Sequence, residues 1–135
     1  MRMAIALLII TGGTLTMAQE KNDVAWAKVQ EKIQTGRPFT LALLKSGPKS
    51  DFDTTTAERL QKEHLIHLFQ LHDEGKLLIW GPLVDDTDLR GIAIFNTADA
   101  KEVEKWLSED AWMKAGGMVF EIHPWFSLPG LSLPK

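Results

Sequence analysis

Residues 76–95 read KLLIWGPLVDDTDLRGIAIF, and the fold turns on them. Two apolar runs, beginning at Leu77 and at Leu89, flank the polar cluster Asp85 to Asp88. Runs of this length, rich in Ile, Leu and Val and separated by turn residues, predict two strands joined as a hairpin. Gly81-Pro82 interrupts the first strand, as expected at a bulge or an edge.

Working outward, the segment before the hairpin contains TTTAERLQKEHLIHLFQLHDEG. It predicts a helix from about Thr56 to Glu74, capped by one of Asp53 to Thr56 and ended by Gly75. The segment after it, TADAKEVEKWLSED, predicts a second helix with Thr97 or Asp99 as cap and Val103, Trp106 and Leu107 inward. Farther out lie PFTLALLKSGP, from Pro38, and MVFEIHPW, from Met118, each reading as a strand. The order is strand, helix, strand, strand, helix, strand: an α+β, ferredoxin-like βαββαβ arrangement with an antiparallel sheet and helices on one face. The strands TLALL, LLIW and GIAIF are apolar on nearly every residue, so the other face also needs cover. A second copy packing sheet to sheet is the economical cover, and a homodimer is expected.

The chain has 135 residues, 44% of them hydrophobic and 24% charged, enough for one domain with its own core. A net charge of -3, with no cluster of Lys and Arg among aromatics, leaves no footprint for nucleic acid. The opening MRMAIALLIITGGTLTMAQE has a cation at Arg2, an apolar run from Met3 to Ile10, and small residues before Gln19. That is the pattern of a secretory signal, with an apolar run too short for the roughly 30 Å of a bilayer core. Residues 1–18 are therefore expected to be removed, leaving a periplasmic or secreted protein with no stable membrane association. Cysteine is absent, which rules out disulfides and thiol chemistry. Residues 19–37 predict an accessory helix, with Asn22 or Asp23 as cap and Gly36 as stop; 38–126 form the main domain, and 127–135 a proline-containing tail.

The first helix of the main domain carries His64, His67 and His72. At about 100° per residue, Leu60, His64, Leu65, Leu68, Phe69, Leu71 and His72 fall on one arc, with His67 at its border. His64 and His67 are spaced i, i+3, whereas a zincin-type pair needs i, i+4 with an adjacent Glu, so no metal or other cofactor is expected. Acid–base chemistry needs one histidine and a carboxylate that orients it. Asp85, Asp86 and Asp88 in the hairpin and Asp110 after the second helix are the candidates, although aspartates in turns and near helix ends usually make local capping bonds. Trp80 with Gly81 and Pro82, and Arg90 on the facing strand, are expected to line a pocket for a small organic molecule. Gly116-Gly117 predicts a tight turn or a close backbone approach leading into the last strand.

FTLALLK, His64 eleven residues before Gly75, GKLLIWGPL, LRGIAIF and EDAWMKAGGMVFEIHPW, in this order and spacing, resemble the YCII-related family from about Phe39 to Trp125. The resemblance implies a dimeric α+β barrel fold and an active site with a His and Asp pair. Some relatives or fold neighbours act as dehydrochlorinases or lactone isomerases on ring compounds, without metal or organic cofactor. His64 matches the family histidine, and Asp110 matches the acidic residue of an Asp-Pro step whose proline is replaced here by Ala111. Among the hairpin carboxylates, Asp86 is the one expected near the site. The expectation is acid–base catalysis, by isomerisation or elimination, on a small molecule; the alternative is a non-catalytic ligand-binding or structural dimer. Because relatives of the fold bind heme, a heme- or metal-binding barrel is a third reading.

Overall fold

The computed structural model describes residues 13–134. They divide into two compact units at Gly36. The first contains α1, Gly13–Gln34. The helix begins well before the expected caps, because the segment from Leu15 to Glu20 holds no breaker and is rich in helix formers. Asp23 lies inside the helix and accepts a hydrogen bond from Gln19 Nε2 one turn earlier. Val24, Trp26, Val29 and Ile33 are exposed on α1. Residues 1–12 of the expected signal segment lie outside the described residues, and 13–18 form the start of α1. No helix among the described residues is long and apolar enough to cross a membrane.

The second unit runs through β1 (Arg37–Ser46), α2 (Thr54–Asp73), β2 (Leu77–Pro82), β3 (Leu89–Phe95), α3 (Ala100–Ser108), a one-turn α4 (Ala111–Lys114) and β4 (Met118–Ser127). The four strands form one sheet in the order β2-β3-β1-β4, with every neighbouring pair antiparallel. This is the expected ferredoxin-like α+β fold, with α4 as an addition for which the sequence predicted no element.

Local chemistry sets the helix ends. Asp53 caps α2: one carboxylate oxygen accepts from Thr56 N at 2.9 Å and the other from the Thr56 hydroxyl at 2.7 Å. These bonds hold its carboxyl below the usual aspartate range, first through the Thr56 backbone N–H and then through the hydroxyl. At the other end Gly75 adopts φ +71°, a conformation that closes helices where a side chain would be strained. Asp99, rather than Thr97, caps α3 by accepting from Lys101 N.

The core lies between the helices and one sheet face, where Leu68 and Leu71 of α2 and Val103 and Leu107 of α3 meet Ala42, Leu44, Leu77, Ala93 and Phe95. The buried stripe of α2 is Leu60, His64, Leu68 and Leu71. It is narrower than the arc expected from the sequence, and Leu65 and Phe69 are exposed with Ile66 on its flank. On β2 the register slips between Leu77 and Ile79, making Leu78 the extra residue of a bulge. Plain alternation from Leu77 would send Trp80 away from the helices. With the bulge, Trp80 stands opposite Ala93 and packs against the core.

Candidate active site

α2 and the α3–α4 junction bring two ionisable side chains together beneath a cavity. His64 is 8% exposed and Asp110 is fully buried. His64 Nδ1 lies 2.7 Å from Asp110 Oδ2. A carboxylate only accepts, so Nδ1 carries the hydrogen and donates it. The other oxygen, Oδ1, accepts from Trp112 N at 2.9 Å, because Asp110 is also the N-cap of α4. The local capping bond and the histidine contact, weighed as rival roles for this aspartate, are both made, one by each oxygen. Two donors hold the carboxylate from two directions, and that fixes both its plane and the tautomer of the imidazole.

Nδ1 is committed to Asp110, which leaves Nε2 as the ring nitrogen for exchange with a bound molecule. His64 lines a cavity of about 400 Å³, a size suited to a small organic ligand. Trp80, Gly81, Pro82 and Arg90, the four expected pocket residues, line the same cavity. Trp80 is held in place by edge contact with Phe69, with ring centroids 5.2 Å apart, and by His72 at 4.9 Å. Trp112 also lines the cavity; its indole N–H donates to Gln61 Oε1 at 3.1 Å and its ring meets Phe52 edge-on at 5.3 Å.

The glycine pair shapes this wall. Gly116 takes φ +77°, while Gly117 lies so close to Trp112 that a Cβ would fall 2.5 Å from the indole. Both expectations for the pair, a tight turn and a close approach, are met by successive residues. Gly91 is similarly pressed against the backbone of Gly81, where a Cβ would meet the carbonyl oxygen at 2.8 Å.

Asp86 does not join the site. The β2–β3 ladder ends with Pro82 opposite Gly91, and residues 83–88 project beyond it. Asp86 is exposed there, lines no part of the cavity, and is not the partner of His64. Its neighbour Asp85 accepts a hydrogen bond from the Thr87 hydroxyl. The family resemblance suggested a hairpin carboxylate near the site, but Asp86 sits exposed in the middle of a loop whose ends are tied back to the strands, Leu83 N to Arg90 O and Ser46 N to Asp88 O. The other two helical histidines are tied to backbone: His67 Nε2 donates to Trp106 O at 2.9 Å, and His72 Nδ1 donates to Leu77 O at 2.8 Å. The i, i+3 pair of His64 and His67 thus serves two separate partners.

Lys49, Phe52, Gln61 and Trp112 also line the cavity and were not anticipated. Gln61 stands one turn before His64 on α2, a helical spacing that could have disclosed it. Lys49 and Phe52 lie in the β1–α2 loop, where no periodicity operates.

The family model of the YCII-related domain matches residues 8–126, and the chain belongs to that family. No curated protein matches. A solved structure with a similar fold is 5-chloro-2-hydroxyhydroquinone dehydrochlorinase from Burkholderia phenoliruptrix, in complex with 2,5-dihydroxybenzoquinone. It is 20% identical, and the superposition covers 66% of this chain and 93% of that one with a TM-score of 0.46.

Proposed function

We propose that this protein is an acid–base catalyst of the YCII-related family, working on a small organic molecule without a cofactor. The observation that carries the reading is the buried His64–Asp110 pair under an open cavity, with Nδ1 engaged and Nε2 left for chemistry. In this reading Nε2 takes a proton from an activated C–H of the substrate. The bond's electron pair then forms a new double bond. In an elimination, the leaving group departs with its own bonding pair; in an isomerisation, the imidazolium returns the proton to another carbon. Asp110 is a positioning residue that keeps Nδ1 protonated and the ring oriented, and stabilises the imidazolium while it lasts.

The test is His64→Gln, assayed for turnover and ligand binding on a panel of lactones and halogenated phenols. Loss of turnover with binding retained supports the proposal. Retained turnover sinks it, and binding by the wild type without any turnover favours a ligand-binding module.

The working unit in this reading is a homodimer. The sheet face away from the helices carries Leu41, Ile79 and Ile94 across three adjacent strands, an apolar strip suited to a second copy. Export to the periplasm or medium, with removal of residues 1–18, completes the reading; it is motivated by Arg2 and the apolar run that follows. Sedimentation equilibrium would test the first point, where a monomer at all concentrations overturns it. N-terminal sequencing of protein recovered from the producing cells would test the second.

A further inference from the structure

The cavity has a charge that the acid–base reading does not use. Two cationic side chains, Lys49 and Arg90, line it together with His64, and no aspartate or glutamate is among the lining residues. Asp110 stands behind His64 and spends both oxygens on His64 and on Trp112 N. Among the described residues, neither Lys49 nor Arg90 has a carboxylate within ion-pair distance, although Asp85, Asp86 and Asp88 are close to Arg90 in the chain. The ammonium of Lys49 instead lies over the ring of Phe52, 4.9 Å from its centroid. Three aromatic side chains belong to the lining: Trp80 on β2, and Phe52 and Trp112, which meet edge-on.

We infer that the site is built for a planar ring compound bearing a fixed negative charge, with Arg90 and Lys49 holding the anion and the tryptophans flanking the ring. Two cations with no carboxylate partner among the described residues, both lining one concave site, favour an anionic ligand. Aromatic rings in the lining favour a planar ligand that can stack on them. Arg90 offers a planar fork suited to a carboxylate or an enolate, whereas Lys49 offers a point charge on a flexible stem. The inference rests on the acid–base reading only in placing the ligand's reactive carbon near His64. An anion held beside an imidazole that must become cationic also makes chemical sense, since proton removal adds negative charge to the ligand and the two cations stabilise it.

Benzoate and benzamide provide the test, because they share size and planarity and differ in charge. Their binding is followed by tryptophan fluorescence in the wild type, Arg90→Gln, Lys49→Gln and the double variant, each checked for an unchanged melting temperature. Benzoate is expected to bind about tenfold tighter than benzamide, and added salt should reduce the margin. Each single substitution should cut the preference, and the double variant should abolish it. Equal binding of the two probes, a preference unmoved by both substitutions, or no binding of either up to solubility overturns the inference. A benzoate preference alongside turnover that survives His64→Gln would sink the acid–base reading alone. Loss of turnover in His64→Gln with no charge preference would sink the anion site alone.

Discussion

Among the described residues two histidine–carboxylate pairs stand on opposite sides of the sheet, and only one of them is buried and close. On the helical side His64 and Asp110 meet at 2.7 Å, both withdrawn from solvent. On the other side His123 and Glu121 stand 3.9 Å apart, with each side chain about half exposed. The carboxylates differ in their other obligations. Asp110 is anchored by a backbone N–H, which points its second oxygen at His64. Glu121 is claimed by Lys45 at 2.7 Å, a stronger partner that draws it away from His123. Identical functional groups thus become a dyad or a solvated cluster according to burial and to what holds the far oxygen.

The sharpest way to break this contrast is at the histidines. His64→Gln is expected to lower turnover about 100-fold or more, the usual contribution of a positioned acid or base, while His123→Gln leaves it unchanged. Next come the carboxylates. Asp110→Ala leaves the Trp112 N–H and the His64 Nδ1–H without acceptors in a buried place, and should cost about 2–4 kcal/mol in denaturant unfolding. The same change at Glu121 should leave the melting temperature almost where it was. Asp110→Asn sharpens the comparison further: an oxygen can still cap α4, but the amide now donates toward Nδ1. The imidazole should switch to the tautomer protonated at Nε2, visible in nitrogen chemical shifts, and turnover should fall although the fold survives.

A smaller effect is expected at the cavity wall. Gly117→Ala forces a Cβ against the Trp112 indole and should cost about 1–3 kcal/mol, with weakened ligand binding as the ring shifts. The smallest concerns pH. A hydrogen bond from Lys45, and its charge, hold the Glu121 carboxyl below the usual range, and Glu121 raises Lys45 in return. A lowered carboxyl pKa contributes stability above its unfolded value, lost as pH falls through the folded one; a raised lysine loses its contribution as pH climbs through its own. The pair should therefore help across the neutral range and fade at both extremes. Because it is exposed, high salt should flatten the melting-temperature profile to that of Glu121→Gln.

The sequence made some of this legible and hid the rest for identifiable reasons. The order of strands and helices was readable because Gly, Pro and Asp punctuate clear apolar runs. His64 was readable because its spacing from Leu60, Leu68 and Leu71 puts it on the buried stripe of α2. Asp110 was visible as a candidate, yet its choice over Asp86 depends on a single turn of helix that capping creates, and four residues carry too little periodicity to announce it. Leu65 and Phe69 looked buried because a helical wheel treats a wide arc as one face, whereas packing against a sheet used only a narrow stripe. Lys49 was hidden in a loop, where tertiary closure alone decides what a side chain faces.

The bulge at Leu78 makes β2 tolerant of a change in chain length. Ile79 pairs with Ile94 and Trp80 with Ala93, so removing Leu78 would close the bulge without altering either pairing. A one-residue deletion between Gly91 and Phe95, where β3 pairs without a slip, would instead exchange inward and outward side chains along the rest of the strand. A lineage or an engineer could therefore lengthen or shorten the chain at Leu78 and keep Trp80 in its place, exploring new curvature in the edge strand while the helix-covered face of the sheet stays in register.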